Sequence, residues 1–143
     1  MLQDKILGSW KLVSFAYKAE DGSSFYPYGK DAEGIIIYDK SGYMSAIITR
    51  TDRPNMSTLD FGLLSDEEKM ALAKGFMTYT GKYEFENENT VLHHIEIGYF
   101  PNWVGTVFVR YASFDEDNNL VLATPPTTMR GKSFTGYLIW KKN

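Results

Sequence analysis

The side chains best suited to chemistry in this 143-residue sequence are His93 and Arg110, each in the middle of a predicted strand. Because imidazole titrates near neutral pH, His93 could act as a general base or orient a ligand through a hydrogen bond. A guanidinium in a strand needs water or an acidic partner, so Arg110 could bind a ligand carboxylate or an enolate. The structural alternatives are a hydrogen-bonded core histidine and an ion pair between Arg110 and Glu96.

Aromatic and basic side chains complete the candidate site. Tyr28, Tyr43 and Tyr83 offer phenol groups, and Trp103 offers a large flat face, which together suit a flat or aromatic ligand. Each of these rings could instead simply fill the core. Arg50 precedes a long loop, where it could lie at the mouth of a cavity or hold the loop. The predicted ligand-binding set is therefore Tyr28, Tyr43, Arg50, Tyr83, His93, Trp103 and Arg110; in an enzyme, His93 and Arg110 would be catalytic.

Several classes of site are disfavoured by the composition. The sequence has no cysteine, so it has no disulfide and no thiolate nucleophile. His93 and His94 are adjacent on one strand and must point to opposite faces, so we expect no metal site. Glycine-rich phosphate loops, dinucleotide fingerprints and serine triads are missing, and the sequence implies no cofactor.

Charge and hydropathy narrow the expected partners and location. A formal net charge of -3 gives no general electrostatic reason to bind nucleic acid or an anionic membrane surface. The N-terminal residues lack the apolar run of a signal peptide, and no stretch of 18 apolar residues occurs. We therefore expect a cytoplasmic protein that binds no membrane.

Short β-type runs separated by turn residues dominate the sequence. Between the third and fourth runs, Ser65 and Glu68 form a capping-box pattern, which predicts one helix from Ser65 to about Met77 near one end of the sheet. The eight predicted strands span residues 9–17, 34–38, 43–49, 79–86, 90–97, 104–114, 120–124 and 134–142.

Short connections favour an up-and-down arrangement of these strands, and closure into a barrel would remove the exposed sheet edges. We expect an all-β fold, a single eight-stranded antiparallel barrel forming one domain over residues 1–143. A barrel of eight strands encloses room for side chains or one small ligand. A two-sheet sandwich is the alternative.

Strand alternation predicts which side chains face the interior. In the fourth strand Tyr79, Tyr83 and Phe85 alternate with charged residues and should face inward. In the fifth strand His93 shares a face with Val91, Ile95 and Ile97, whereas a register slip of one residue would turn His94 inward instead. In the first strand one face carries Trp10, Leu12, Ser14 and Ala16, whose small members would leave space for a cavity if that face is the internal one.

Several segments in order resemble the small, stand-alone bacterial and fungal lipocalin-like domain family, whose fold is of the calycin type. The resemblance spans nearly the whole chain and implies a β-barrel with a pocket, but no single activity. The segments that carry it are Gly8-Ser9-Trp10-Lys11-Leu12-Val13-Ser14-Phe15, Tyr26-Pro27-Tyr28-Gly29, Gly42-Tyr43-Met44-Ser45, Arg53-Pro54, His93-His94-Ile95-Glu96, Phe100-Pro101-Asn102-Trp103-Val104-Gly105, Arg110 and Thr124-Pro125-Pro126.

The sequence supports three hypotheses for function. The first is a barrel that binds a small hydrophobic or aromatic molecule, for which an anionic group is one option. The second is a cofactor-free isomerase, cyclase or dehydratase in which His93 moves a proton and Arg110 or a tyrosine stabilises an oxyanion. The third is a structural or interaction domain with a filled interior. A homodimer is compatible with each of them.

Overall fold

The computed structural model describes every residue from Met1 to Asn143. Two short helices, α1 (Leu2–Lys5) and α2 (Asp66–Leu72), and two single 3₁₀ turns, Phe61–Leu63 and Pro101–Trp103, accompany ten strands. None of the helices combines the length and apolarity needed to cross a bilayer. The strands are β1 (Gly8–Ala19), β2 (Ser24–Phe25), β3 (Glu33–Tyr38), β4 (Tyr43–Thr49), β5 (Phe76–Asn87), β6 (Thr90–Gly98), β7 (Val107–Phe114), β8 (Leu120–Ala123), β9 (Thr127–Met129) and β10 (Lys132–Lys142).

Eight of these strands form a closed antiparallel barrel. They pair in the order β1-β3-β4-β5-β6-β7-β8-β10, and β10 pairs back with β1 from Trp10 opposite Lys142 to Ala19 opposite Phe134. The short strands β2 and β9 extend the sheet beside β1 and β10. The all-β, up-and-down barrel expected from the sequence is thereby confirmed, since the eight barrel strands are the eight predicted ones.

The helix α2 is shorter than the sequence pattern indicates. The Ser65 hydroxyl accepts from the Glu68 backbone N–H at 3.1 Å, and the predicted capping box is formed. The helix ends at Leu72 and not at Met77, because Gly75 has a φ of 71° and the next residue, Phe76, already pairs with β4. Met77 therefore lies in β5, with its side chain buried in the barrel.

A β-bulge in β1 changes which side chains of this strand face inward. The register with β10 shifts between Leu12 and Ser14, so Val13 is the extra residue. Trp10 and Leu12 face the interior before the bulge, and Phe15 and Tyr17 face it afterwards. The expected common face of Trp10, Leu12, Ser14 and Ala16 is therefore wrong, and bulky rings take the place of the predicted small residues.

A second bulge interrupts the pairing of β5 with β6. Thr80 lies opposite Ile97 and Gly81 opposite Ile95, which leaves Glu96 as the extra residue. His93 and Ile95 are buried in the interior, as predicted, but Ile97 is 72% exposed. The alternation thus holds up to the bulge and reverses beyond it.

Gly81 is required by the close approach of the two strands at this bulge. A Cβ atom at this position would lie 1.7 Å from the backbone carbonyl oxygen of His94. Gly81→Ala should therefore lower the free energy of unfolding by about 3 kcal/mol, because the backbones must separate. Gly62→Ala is the matched control, since its Cβ would meet only the Asp60 side chain at 3.3 Å. Urea denaturation measures both, and equal stabilities of the two variants would contradict this account of the bulge.

Candidate functional site

A cavity of about 470 Å³ lies inside the barrel at the end where β4 stops and β5 begins. Fifteen of the 20 lining residues are hydrophobic, so the walls suit an apolar or aromatic molecule. Strand residues such as Ala46, Ile48 and Met77 form the floor and sides, and Tyr28 and Pro125 come from loops. The volume lies within the range of small-molecule sites, about 300 to 1,000 Å³.

Three aromatic rings form one wall of the cavity. The Tyr79 and Phe108 ring centroids are 5.2 Å apart, those of Trp103 and Phe108 are 5.5 Å apart, and both pairs meet edge to face. The 3₁₀ turn Pro101–Trp103 positions Trp103, and it also delays the start of β7 to Val107 from the predicted residue 104. Such edge-to-face packing holds the rings in fixed orientations and gives the cavity a rigid aromatic surface.

The only cationic group among the lining residues belongs to Arg110. Its guanidinium stacks on the Phe108 ring at 5.0 Å, and its Nη1 donates to the carbonyl oxygen of Val109 at 2.9 Å. No carboxylate lies within ion-pair distance of it. The ion pair with Glu96 considered above does not form, because Glu96 is the outward residue of the bulge and accepts from the Tyr43 hydroxyl at 3.3 Å. Besides its bond to Val109 and its approach to the Tyr79 hydroxyl, Arg110 has donors left for a partner in the cavity.

His93 lies in the closed core and is fully buried. The Tyr38 hydroxyl is 2.7 Å from its Nε2 atom, and the Tyr79 hydroxyl is 2.8 Å from its Nδ1 atom. Burial, and to a smaller extent Arg110, hold the pKa of His93 well below its ordinary value, so the ring is neutral near pH 7. The inward orientation of His93 agrees with the sequence prediction. The structure does not support the predicted direct contact of His93 with a ligand, because His93 is absent from the cavity wall and both ring nitrogens have hydrogen-bond partners.

Of the other predicted residues, Tyr28 and Trp103 lie in the cavity wall. Tyr43, Arg50 and Tyr83 lie elsewhere. Tyr43 lies on the outer surface, because the inward face of β4 is formed by Met44, Ala46 and Ile48. Arg50 pairs with Asp52 at 2.9 Å outside the cavity.

Tyr83 does face inward, but its place along β5 takes it away from the cavity. Its ring packs edge to face on Tyr38 with centroids 4.9 Å apart, and its hydroxyl donates to the carbonyl oxygen of Asp39 at 2.8 Å. Asp39 belongs to the turn between β3 and β4, at the end of the barrel opposite the cavity. Direct ligand contact by Tyr83 is therefore not supported.

Several residues of the site were not predicted from the sequence. Tyr79 was predicted to face inward but was not included among the site residues, although it connects His93 to the cavity wall. Alternation with Ile36 would have placed Tyr38 inside. Phe15 and Tyr17 had no such signal, since the bulge at Val13 reverses the alternation before them.

Comparison with known proteins agrees with this architecture. A family model described as a lipocalin-like domain matches residues 7–143. The chain belongs to this family. A relative in Aspergillus oryzae, the 4'-hydroxy-3'-methoxypropiophenone carrier protein ppsC, is 26% identical to this lipocalin-like domain over 106 residues. The match covers 69% of the present chain and 96% of that protein.

The neutral, buried state of His93 should make stability depend on pH. Its folded pKa is below its unfolded pKa of about 6.5, so the unfolded chain binds one more proton as the pH falls below that value. Unfolding free energy should then decrease, with a slope approaching about 1.4 kcal/mol per pH unit. The slope should appear between about pH 6 and pH 4.5, above the titration of most carboxylates.

Urea titrations at several pH values measure this slope. His93→Gln should flatten it, whereas His94→Gln should retain it, because His94 lies on the outer face with its Nε2 atom 2.9 Å from a Glu84 oxygen. An unchanged slope in His93→Gln would show that His93 is not the group responsible.

Proposed function

We propose that this lipocalin-like domain binds and carries a small aromatic molecule whose oxygen acceptor docks on Arg110. The observation that carries the proposal is a guanidinium without a carboxylate partner in the wall of an otherwise mostly apolar cavity. An aromatic ligand would find flat faces on Trp103 and Phe108, and its oxygen would satisfy donors that are now unpaired. The phrase "carrier protein" in the name of the Aspergillus oryzae relative, and the aromatic ketone in that name, support the same class of ligand.

The titratable groups of the cavity wall favour carriage over catalysis. The lining residues include no carboxylate and no imidazole. Burial raises the pKa of the lining tyrosines Tyr17, Tyr28 and Tyr79, so each remains protonated near pH 7. None of these groups is a ready acceptor for a proton from carbon, whereas proton abstraction would require one.

Arg110→Met tests the docking of the ligand oxygen, with 4'-hydroxy-3'-methoxypropiophenone as the probe. We expect 1:1 binding to the wild type by isothermal titration calorimetry. We also expect affinity about tenfold or more weaker in Arg110→Met, the loss typical of a charge-assisted hydrogen bond. Arg50→Met is the matched control, since it removes an arginine that pairs with Asp52 outside the cavity. Equal affinities of the two variants would contradict docking on Arg110, and no binding to the wild type would contradict the choice of ligand class.

The isomerase, cyclase or dehydratase hypothesis retains one supporting observation. Tyr79 connects the buried His93 to the cavity, so a proton could pass between His93 and a bound ligand through the Tyr79 hydroxyl. The carrier proposal predicts that the connection through Tyr79 does not remove a proton from a carbon atom of the ligand, because the cavity wall lacks a base.

Deuterium exchange distinguishes the two functions. In D₂O, the α-hydrogens of the bound propiophenone should exchange at the buffer rate when followed by proton NMR. Exchange accelerated by the wild type and returned to the buffer rate by His93→Gln would replace the carrier proposal with an enzymatic one. The same spectra report any conversion of the probe to a new product.

A further inference from the structure

The hydrogen-bonded series Tyr38, His93 and Tyr79 has two possible arrangements of its protons. A neutral imidazole carries one N–H and one acceptor nitrogen, so one tyrosine must donate to the ring and the other must accept from it. Either Tyr38 donates to Nε2 and Nδ1–H donates to Tyr79, or both bonds run in the opposite direction. The 2.7 Å and 2.8 Å separations suit both arrangements.

The positions of the two tyrosines select between these arrangements, because both side chains are buried but only Tyr79 lines the cavity, where its O–H can meet a ligand or water. The Tyr38 side chain is 1% exposed, and its hydroxyl has one partner, the His93 Nε2 atom. If Nε2 carried the proton, the Tyr38 O–H would be a buried donor without an acceptor, which is costly. If Tyr38 donates to Nε2, every donor of Tyr38 and His93 is satisfied. The geometry points to a proton on Nδ1 of His93, which donates to the oxygen of Tyr79.

The direction of these hydrogen bonds decides whether Tyr79 can donate a hydrogen bond into the cavity. Its oxygen accepts from His93, so its own O–H proton is free to be donated elsewhere. Tyr79 and Arg110 both line the cavity, and the guanidinium lowers the pKa of the Tyr79 hydroxyl through its charge and through a side-chain hydrogen bond to it. Burial outweighs that effect and raises the pKa, so the hydroxyl keeps its proton near neutral pH. The wall thus combines a neutral O–H donor with a cationic one.

We propose that the Tyr79 hydroxyl and the Arg110 guanidinium together bind one carbonyl oxygen of the ligand, and that Tyr38 and His93 are positioning residues that fix the direction of the Tyr79 bond. The inference rests on the proposed carrier function and adds to it the ligand group recognised at this point. A carbonyl oxygen has two lone pairs, so it can accept from both donors. The barrel should therefore distinguish an aromatic ketone from the same skeleton without the carbonyl.

Two probes that differ only in the carbonyl measure this discrimination. They are 4'-hydroxy-3'-methoxypropiophenone and 2-methoxy-4-propylphenol, in which a methylene replaces the ketone. The wild type should bind the ketone about tenfold or more tightly than the propyl compound. In Tyr79→Phe, affinity for the ketone should fall about tenfold, with little change for the propyl compound.

Tyr83→Phe is the matched control, because it removes a phenol hydroxyl outside the cavity and should leave the ratio of the two affinities unchanged. The ratio is the decisive quantity, because a general loosening of the barrel would weaken both probes together. A ratio in Tyr79→Phe equal to that of the wild type would overturn the assignment of Tyr79.

The protonation of His93 can be measured without any ligand. Two-dimensional proton–nitrogen NMR of histidine-labelled protein distinguishes protonated from unprotonated ring nitrogens, and His94→Gln assigns the signals of the only other histidine. We expect His93 to be protonated on Nδ1 and unprotonated on Nε2. Protonation on Nε2 would overturn the inference.

The two measurements separate failure of this inference from failure of the proposed function. If the wild type binds both probes equally well, the barrel is still an aromatic carrier, and carbonyl recognition by Tyr79 and Arg110 is wrong. If it binds neither probe, the proposed ligand class is wrong and so is the recognition of its carbonyl, even where NMR confirms the Nδ1 proton.

Discussion

Closure of the barrel imposes one constraint on everything inside it, which is that a polar group placed in the interior must find its partner there. β1 and β10 pair along almost their whole length, so backbone hydrogen bonds close the barrel at this seam. An unpaired donor or acceptor in such an interior costs about 1 to 3 kcal/mol. The imidazole of His93 meets this constraint with a tyrosine on each nitrogen, and Trp140 Nε1 is the one buried side-chain polar atom that has no partner.

The interior is divided between a packed end and an open end. Around the turn that joins β3 to β4, large side chains such as Tyr38 and Tyr83 meet ring to ring and fill the space. At the other end, the walls retain small or unbranched residues such as Ala46 and Met77, and the cavity opens between them and Trp103. Tyr79 lies between the two regions, since its ring belongs to the cavity wall and its hydroxyl reaches His93 in the core.

Alternation and turn chemistry predict most of this fold, because both act over a few residues. The hairpin from β3 to β4 follows from Asp39 to Gly42, where Gly42 has a φ of 91° and the Ser41 N–H donates to Asp39 at 2.9 Å.

The two bulges were not predictable in the same way. A bulge is a property of a strand pair, and nothing in the sequence near Val13 or Glu96 specifies an extra residue. Ser14 and Ile97 were assigned to the wrong face of the sheet because of these bulges.

The sequence predicts on which side of the sheet a candidate site residue lies. It does not predict how far along the barrel axis that residue lies. His93 faces inward, as the alternation of β6 predicts. The alternation of β7 left its inward face open, and Trp103 lies in a turn, so the positions of Arg110 and Trp103 in the cavity wall come from the structure. Alternation reports only the side of the sheet, however, and it does not say how far along the barrel a residue lies. Tyr83 shares the inward face of β5 with Tyr79, four residues away, yet only Tyr79 reaches the cavity. The alternation of β4 allowed either face to be internal, and Tyr43, which was predicted to bind ligand, belongs to the outward one.

The environment of Arg110 explains why an apolar cavity would keep a charge. Partial exposure and the face of Phe108 make the guanidinium tolerable in the cavity wall. A ligand that fills the cavity removes the remaining water, so it must replace the lost hydrogen bonds or leave a buried cation unpaired. A pure hydrocarbon of the right shape would incur that penalty, whereas a molecule with an oxygen near Arg110 would not. Under the proposed function, the same side chain would therefore favour a ligand with an oxygen acceptor and disfavour the more hydrophobic compounds that mostly apolar walls alone would admit.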